Sequence, residues 1–422
     1  MMFYKSFLIK YAEIGTKGKN RYVFEDTLCK RIRMRLKPEG DFSVRREYGR
    51  IFVDCNSDYD YDRVIEKLTK IFGITGVCPV VVTEVFEFDA IAELLTEYVR
   101  EVYEDDMNFT FKMKARRNNK SFPIHTMEMD AKLGEVLLNN FEKDGLKVDV
   151  HKPDVIINVE IRDKVYIYSH VIPGPGGLPV GTNGTAISLI SGGIDSPVAT
   201  WMIGKRGVEM QGVYFNSPPY TSERALEKVQ DLATIVSQYS GPFKLHVINF
   251  TEIQLAIYDN CPHDQLTIIM KRFMFRVAQD IARMEDAQCL VTGESIGQVS
   301  SQTTFSLGVI DNAVEMPVYR PLIGMDKQEI IDISQKIGTY ETSIQPYEDC
   351  CTIFVAKHPV TKPTLSMIEK SEKKLAGIIE PLYEKALKED RIIYLKYKVE
   401  DTKMIHFICT IIILGIVKAV KK

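Results

Sequence analysis

The chain has 422 residues, of which 45% are hydrophobic and 26% are charged, and its net charge at pH 7 is −3. This length exceeds one ordinary hydrophobic core, so two or three domains are expected. The slightly acidic balance excludes nucleic-acid binding through overall charge, and any basic surface must be local. The eight cysteines show neither zinc-site spacing nor a disulfide framework, and the chain begins without a secretory signal. These features predict a cytoplasmic protein.

The N-terminal part of the chain mixes strands and helices. In chain order, the pattern predicts a strand at 3–9, helices at 24–36 and 60–72, a strand at 77–88, a helix at 91–102, an edge-like strand at 109–117, a helix at 130–141 and a hairpin at 155–161 and 164–169. This mixture predicts two small α+β units. Up to Arg50, thirteen Lys or Arg stand against six Asp or Glu. This excess of basic residues forms either a solvated helix face or a surface that binds the phosphate backbone of a nucleic acid.

Residues 173–184 are dense in Pro and Gly and predict a domain boundary. Beyond them, strands are predicted at 187–190, 208–215, 244–250 and 287–292, with intervening helices at 225–236 and 266–284. This alternation predicts an α/β domain with a doubly wound parallel sheet. Ligands bind such sheets beyond the carboxyl ends of the strands, so the turn after 187–190 and the strand ends near Phe215 and Gly293 should line one pocket.

The segment SGGIDS at 191–196 lies between the predicted strand at 187–190 and a helix that begins near Pro197. A strand, a turn of small residues and a helix N-terminus are typical of a phosphate-binding loop, because backbone N–H groups and the positive helix end face the anion. The Walker type is excluded, since no Gly-Lys-Ser/Thr follows. The segment resembles the PP-loop of ATP-dependent adenylating enzymes, and all its fixed positions are present: Ser191, Gly192, Gly193, Asp195 and Ser196.

Further resemblances extend over most of the chain. The segment FKMKARR at 111–117, followed by the helix from Asp130, resembles the THUMP module of tRNA-modifying enzymes, and the part before it looks like a ferredoxin-like domain. Five segments fall in the order of the tRNA uridine 4-sulfurtransferases (ThiI family): 189–199, 217–224, 292–303, 320–322 and 346–352. The resemblance implies a ferredoxin-like domain at 1–60, THUMP at 61–169, a PP-loop domain at 170–400 and a tail of unknown role at 401–422.

The ThiI resemblance implies that ATP is bound and that Mg²⁺ neutralises its pyrophosphate. The implied ATP contacts are Leu189, Ile190, Ser191, Gly192, Gly193, Ile194, Asp195, Ser196, Tyr214, Phe215, Lys271, Gly293 and Gln302. The family commonly has Arg where Lys271 stands, and Arg272 is adjacent, which leaves the identity of that contact open. Asp195 acts through the metal or caps the helix, and both roles stay open.

The implied reaction is adenylation of a tRNA uridine and replacement of its O4 by sulfur. The THUMP resemblance implies that tRNA is bound by Lys112, Lys114, Arg116, Arg117 and Lys120. The adjacent Cys350 and Cys351 are candidates to carry or resolve a persulfide, with Cys350 favoured by its match to the family's cysteine. Neighbouring Glu348 and Asp349 oppose thiolate formation.

The implied partners are tRNA, a cysteine desulfurase as sulfur donor and a ThiS-like carrier protein of thiamine synthesis, and a homodimer is a further expectation. No rhodanese domain is expected, because the resemblance extends to about Pro363 and only about sixty residues follow it. The alternatives are another PP-loop enzyme, either a tRNA 2-thiolase or an adenylating ligase, and a non-catalytic THUMP protein that binds RNA. Residues 404–417 are almost wholly apolar but shorter than a membrane span, so a buried element is expected rather than membrane association.

Overall fold

The computed structural model describes residues 4–47, 49–347 and 358–396. The chain divides into two compact units. The first comprises Met1–Ala186 with Trp201–Met210 and Arg283–Cys289, and the second comprises Ile187–Thr200, Gln211–Ala282 and Leu290–Lys422. In the part of the chain that the structure describes, no helix combines the length and the apolar character needed to cross a bilayer.

The first unit is built on one continuous sheet. Its strands are β1 (Ser6–Lys10), β2 (Phe42–Glu47), β3 (Arg50–Cys55), β4 (Gly76–Thr83), β5 (Thr110–Arg117), β6 (Lys147–Val148), β7 (Val155–Ile161), β8 (Val165–Tyr168) and β9 (Ile172–Pro173). Its α-helices are α1 (Arg21–Leu36), α2 (Tyr61–Leu68), α3 (Phe88–Val102) and α4 (Thr126–Phe141). The strand order is β2-β3-β1-β4-β8-β7-β5-β6, and β9 pairs with β4. With the predicted bounds of 1–60 and 61–169, the two α+β units therefore share a sheet through the antiparallel pair β1–β4.

Two details of the first unit bear on the predicted elements. Strands β2 and β3 were not predicted, because β3 carries the short apolar run Ile51–Val53 without alternation, and Phe42 and Val44 are the apolar residues of an otherwise polar and charged β2. Strand β5 pairs in parallel with β7 along its whole length and with β6 at Thr110 and Phe111. In the described part of the chain, a neighbouring strand therefore covers β5 on this side only at Thr110 and Phe111, and from Lys112 to Arg117 β5 matches the predicted edge-like strand.

The four helices cover one face of this sheet. Alternate residues of β5 face that core, where Phe111, Met113 and Ala115 are buried among side chains of α3 and α4. The opposite face carries a smaller buried cluster: Leu8, Phe52, Cys78, Val80, Tyr166 and Tyr168. Because successive side chains of a strand point to opposite faces, Lys112, Lys114 and Arg116 of β5 share that second face, whereas Arg117 lies on the first.

A buried carboxylate lies on the second face. Glu160 is 0% exposed, and its oxygens accept hydrogen bonds from Arg162 Nε at 2.7 Å and Tyr168 Oη at 2.9 Å. Arg50 Nη2 lies 3.6 Å away. Burial raises the pKa of Glu160, but the two arginines and the Tyr168 hydroxyl outweigh it and hold the pKa below its ordinary value. The carboxylate is therefore ionised at neutral pH and balances the buried Arg162.

The second unit is built on a six-stranded sheet in the order β14-β13-β10-β11-β12-β15. The strands are β10 (Thr185–Leu189), β11 (Glu209–Asn216), β12 (Phe243–Asn249), β13 (Cys289–Val291), β14 (Val318–Tyr319) and β15 (Arg391–Leu395). The α-helices are α5 (Asp195–Gly204), α6 (Glu223–Ser240), α7 (Thr251–Asn260), α8 (Leu266–Met284), α9 (Thr304–Asp311), α10 (Lys327–Ile337), α11 (Tyr340–Ser343), α12 (Leu365–Glu372) and α13 (Ile379–Lys388).

The predicted α/β sheet is confirmed, with one addition at its edge. Strands β11 and β12 pair in parallel, as do β13 and β14, whereas β15 runs antiparallel to β12. Strand β11 lies on one side of β10 and β13 lies on the other. The strand order therefore reverses at β10, and ligands bind such sheets at this reversal. The segment 191–196 follows β10 directly.

We predict that Glu160→Gln destabilises the full chain by about 3 kcal/mol at pH 7, because Arg162 loses its buried countercharge. The folded pKa of Glu160 is lowered, so its contribution is complete above the unfolded value near 4.5 and is lost as pH falls through the folded value. In calorimetric unfolding, the gap between wild type and variant should close below about pH 4.5.

Glu128→Gln is the control, because Glu128 forms an exposed ion pair with Lys132 on α4. It should leave the unfolding temperature unchanged. A Glu160→Gln protein as stable as wild type at pH 7 would contradict the assigned role of this carboxylate.

Candidate active site

A cavity of about 200 Å³ opens where the sheet of the second unit reverses its strand order. It lies between the segment 191–196, the ends of β11 and β13, and one face of α8. Its lining residues are Leu189, Ile190, Ser191, Gly193, Asp195, Ser196, Tyr214, Phe215, Lys271, Met274, Phe275, Thr292, Gly293, Glu294 and Gln302. Eleven of the thirteen predicted ATP contacts are thus brought together. Gly192 and Ile194 belong to the same segment without lining the cavity.

The segment 191–196 is held by its own serines. The Ser191 N–H donates to Ser196 Oγ at 2.9 Å, and the Gly193 N–H donates to Ser191 Oγ at 3.3 Å. Ser343 Oγ donates to the Gly193 carbonyl oxygen at 3.4 Å. Helix α5 begins at Asp195, and the first N–H groups of a helix have no acceptor within the helix. The cavity therefore has a positive helix end at one wall, which suits an anion.

Gly293 is required by the close approach of two backbones. A Cβ atom at this position would lie 2.7 Å from the carbonyl carbon of Asp195 and 2.7 Å from the backbone nitrogen of Ser196. Both distances are shorter than any van der Waals contact, so only glycine lets the chain after β13 pass the start of α5. The predicted importance of Gly293 thus has a steric origin in this structure.

Asp195 makes two side-chain contacts at the mouth of the cavity. Its Oδ1 lies 2.7 Å from Lys327 Nζ, and its Oδ2 accepts from Gln298 Nε2 at 2.8 Å. Lys327 is the first residue of α10, which a capping box of Asp326 and Glu329 begins. Lys327 was not predicted from the sequence, because more than a hundred residues separate it from Asp195. The ion pair with Asp195 places the Lys327 ammonium beside the phosphate-binding loop.

Of the two candidate cations left open by the sequence, Lys271 lines the cavity and Arg272 does not. Lys271 lines the cavity, and its Nζ lies 2.9 Å from Glu294 Oε1. The neighbouring Arg272 is 2% exposed and pairs through Nε with Glu372 Oε1 at 2.8 Å, away from the cavity lining. Adjacent helix positions point about 100° apart, which here directs Lys271 to the cavity and Arg272 to Glu372.

Glu294 lies buried behind Lys271. Its Oε2 accepts from Arg320 Nε at 2.8 Å and from Thr292 Oγ1 at 3.1 Å. Burial raises the pKa of Glu294, but Lys271 and Arg320 outweigh it and hold the pKa below its ordinary value. Glu294 is therefore an anion between two cations at neutral pH.

Four cavity residues were not predicted: Met274, Phe275, Thr292 and Glu294. The first two follow Lys271 by three and four positions, which places them on the same face of α8. The other two flank Gly293. The helical spacing from Lys271 and the adjacency to Gly293 are both visible in the sequence. They identify cavity residues only once Lys271 and Gly293 are known to line the cavity.

The expected ligand, ATP, agrees with the groups that line the cavity. Tyr214, Phe215 and Phe275 provide apolar and aromatic walls, while the loop and Lys271 provide the anion-binding end. Gln302 is 9% exposed, and its Oε1 has no hydrogen-bond partner among the described residues. A buried carbonyl oxygen without a donor is costly, and a ligand amino or hydroxyl group would satisfy it.

The predicted tRNA-binding residues lie in the first unit, on or just after β5. Lys114 and Lys120 are exposed, while Lys112 Nζ donates to the Val150 carbonyl oxygen at 2.9 Å. Arg116 lies 4.0 Å from Glu160, and Arg117 Nη1 donates to the Phe122 carbonyl oxygen at 3.1 Å. Hydrogen bonds to backbone carbonyl oxygens thus orient the side chains of Lys112 and Arg117. The candidate sulfur carriers Cys350 and Cys351 lie outside the described residues.

The sheet, the loop and the cavity define a PP-loop α/β protein with an N-terminal α+β unit. Three family models match the chain: the ThiI ferredoxin-like domain at residues 6–78, the THUMP domain at 86–170, and the thiamine biosynthesis protein ThiI at 181–376. The three domain types expected from the sequence are therefore present in the expected order.

Relatives in two bacteria carry the name probable tRNA sulfurtransferase. That of Lachnospira eligens is 58% identical over 386 residues, which cover 91% of this chain and 98% of the relative. That of Lachnoclostridium phytofermentans is 56% identical over 393 residues, which cover 93% of this chain and 100% of the relative. The chain belongs to the tRNA sulfurtransferase family, the ThiI family.

Two solved structures are similar in fold. A 4-thiouridine synthetase in complex with RNA and bound ATP has a TM-score of 0.85 and 38% identity, and the match covers 93% of this chain and 100% of that one. A protein from Pyrococcus horikoshii has a TM-score of 0.61 and 26% identity, over 79% of this chain and 99% of that one. The first similarity extends through both units of the present chain.

We predict that Gly293→Ala lowers the stability of the second unit by about 1–3 kcal/mol, because the added methyl group forces the chain after β13 away from α5. Gly308→Ala is the matched control, since a Cβ atom at this position in α9 would meet nothing within 4 Å. Thermal unfolding should show a lower midpoint for the first variant and no decrease for the second. Equal midpoints would show that the contact at Gly293 relaxes without cost.

Proposed function

We propose that the protein uses ATP to adenylate a uridine of tRNA and then replaces the uridine O4 with sulfur, which gives 4-thiouridine. The observation that carries this proposal is the cavity at the strand-order reversal, where a phosphate-binding loop, a helix N-terminus and Lys271 meet. Support comes from the similar 4-thiouridine synthetase, whose structure holds RNA and ATP, and from relatives named tRNA sulfurtransferase.

ATP is oriented by the unequal chemistry of the two ends of the cavity. The segment 191–196 and the N-terminus of α5 receive the triphosphate, because both present N–H groups and positive potential. Lys271 adds a full positive charge to the lining of the same cavity from α8. The adenine lies against Phe215 and Phe275, where Gln302 Oε1 accepts a hydrogen bond from a ligand donor. This orientation presents the phosphates to an incoming nucleophile.

The reaction has two chemical stages. The uridine O4 attacks the α-phosphorus of ATP, the bond from that phosphorus to the bridging oxygen breaks, and pyrophosphate leaves. The O4 atom then carries AMP, which is a far better leaving group than an oxide. The terminal sulfur of a protein persulfide next attacks C4 of the base, and AMP departs with the original oxygen, which leaves the base joined to the protein through a disulfide. A second thiolate attacks the protein's sulfur of that disulfide, so the S–S bond breaks and the transferred sulfur stays on C4. The protein disulfide that forms is reduced by an external thiol before the next turnover. In the first step, the residues of the loop and Lys271 stabilise the charge that develops on pyrophosphate.

Mg²⁺ is the proposed metal, and it would neutralise phosphate charge when bound. Asp195 fits such an ion, because Mg²⁺ in nucleotide sites takes one or two carboxylates together with substrate phosphates. In the described structure the Asp195 carboxylate pairs with Lys327 at 2.7 Å. Asp195 can therefore act in two ways: it holds the Lys327 ammonium beside the loop, and it offers carboxylate oxygens on the phosphate side.

The first unit is the proposed tRNA-binding part. Support comes from the THUMP match and from exposed Lys114 and Lys120 on or beside β5. Lys112, Arg116 and Arg117 complete the proposed phosphate contacts, and loss of each would weaken binding without changing sequence preference. The division of this unit near residue 60, a homodimeric state and a cytoplasmic location stay predictions.

The proposed sulfur donor is the persulfide of a cysteine desulfurase, with Cys350 as the acceptor thiol and Cys351 as its neighbour. Transfer to a ThiS-like carrier for thiamine synthesis is a second proposed use of the same chemistry, consistent with the description of the matching family model. A thiolate is required for either transfer, since the thiol form is a poor nucleophile.

Asp195→Ala should abolish tRNA-dependent AMP formation, because Lys327 loses its partner and the phosphates lose a carboxylate beside them. The measurement is AMP release from labelled ATP with unmodified tRNA and Mg²⁺. Asp332→Ala on the exposed part of α10 is the control and should retain wild-type release. Full AMP release by the Asp195 variant would remove that carboxylate from the site.

Cys350→Ser should retain AMP release and lose 4-thiouridine formation, because adenylation precedes sulfur entry. Cys351→Ser should reduce 4-thiouridine by a smaller factor. Both products are measured in one reaction, by AMP release and by nucleoside mass spectrometry. Equal thiolation by the two variants would refute the assignment of Cys350 as the sulfur carrier.

A further inference from the structure

Four charged side chains of alternating sign form a continuous row from the surface to the cavity. Asp311 Oδ1 lies 2.6 Å from Arg320 Nη2, and Arg320 Nε lies 2.8 Å from Glu294 Oε2. Glu294 Oε1 in turn lies 2.9 Å from Lys271 Nζ. The row therefore links α9 with α8 through the segment that follows β13.

Burial changes steeply along this row. The Asp311 side chain is 44% exposed, whereas those of Arg320 and Glu294 are 9% and 8% exposed. The inner carboxylate is thus shielded from water, and its charge acts at high strength on Lys271. The outer Asp311 compensates Arg320, so that the buried part of the row is not left with excess positive charge.

Both oxygens of Glu294 have separate partners. Arg320 and Thr292 donate to Oε2, which fixes the plane and rotation of the carboxylate. The remaining Oε1 faces Lys271 alone among the contacts described for it. A carboxylate fixed on one oxygen is a rigid acceptor on the other, which gives the flexible lysine side chain one preferred position.

We propose that Glu294 is a positioning residue that holds the Lys271 ammonium at the phosphate end of the ATP cavity. This inference rests on the proposed function and adds a residue to its machinery. A lysine ammonium is a mobile point charge on a four-carbon stem, and it does not have the rigid fork of an arginine. A fixed anion behind it removes much of the conformational entropy that ATP binding would otherwise cost.

A purely structural role for Glu294 makes a different prediction. In that case Glu294 only balances buried Arg320, and its replacement would weaken folding and ATP binding independently of Lys271. If Glu294 acts through Lys271, its effect on ATP binding must disappear once Lys271 has lost its ammonium. A double-mutant cycle separates the two cases.

The cycle uses wild type, Lys271→Met, Glu294→Gln and the double variant, each as the full chain. The equilibrium dissociation constant for ATP with Mg²⁺ is measured by titration calorimetry, and the unfolding midpoint is measured without ATP. Each single variant should weaken ATP binding by about tenfold, and the double variant should be no weaker than Lys271→Met. Multiplying effects, or unchanged affinity of Glu294→Gln, would overturn the proposal.

Two further variants keep the test decisive. Glu372→Gln removes the partner of Arg272, the next residue on the same helix, and should leave ATP affinity unchanged. If Glu294→Gln does not fold, Glu294→Asp replaces it in the cycle, because the shorter side chain keeps the charge for Arg320 and loses reach to Lys271. The same non-additive result is expected, and additive effects would again overturn the proposal.

The proposed function is tested separately by 4-thiouridine formation with the wild-type protein. A non-additive cycle together with no 4-thiouridine would support the positioning role and contradict the proposed reaction. Additive effects together with normal 4-thiouridine formation would contradict the positioning role alone.

Discussion

The site depends on one steric constraint, the approach of the chain after β13 to the first residues of α5. At Gly293 a Cβ atom would lie 2.7 Å from backbone atoms of Asp195 and Ser196, so the two segments touch backbone to backbone. This contact fixes the N-terminus of α5 beside β13 at the point where the strand order reverses. Glu294 is the next residue in the chain, so the same contact also places the anion behind Lys271.

Electrostatic order in the cavity follows from this arrangement. The N-terminus of α5 and Lys271 supply positive potential for phosphates. Two lysines near the cavity each have an anionic partner: Lys271 pairs with Glu294, and Lys327 pairs with Asp195. Glu294 is deeply buried and shared with Arg320, whereas Asp195 is partly exposed and pairs with Lys327. The buried Lys271–Glu294 pair is suited to fix the position of the lysine charge. The more exposed Lys327–Asp195 pair can exchange partners when substrate phosphates bind.

The parts that the sequence could predict are those in which the chemistry is local. The loop at 191–196 occupies six consecutive residues, and helix α8 was predicted with the bounds Leu266–Met284 that the structure shows, because its apolar period is unbroken. The contacts Asp195–Lys327 and Glu294–Arg320 join residues far apart in the chain, so no spacing rule finds them. Strands β2 and β3 were missed for a related reason, since Arg45, Glu47 and Asp54 form ion pairs on the same face as buried Phe52, and this mixture hides the apolar alternation.

The central claim is that ATP bound in this cavity activates a tRNA uridine for exchange of O4 with sulfur. The most direct measurement is the thionucleoside content, by mass spectrometry, of unmodified tRNA incubated with the protein, ATP, Mg²⁺, cysteine and a cysteine desulfurase. We expect 4-thiouridine to form only when both ATP and the protein are present. tRNA-dependent AMP release without 4-thiouridine would contradict the proposed sulfur route, and the absence of both products would contradict the claim itself.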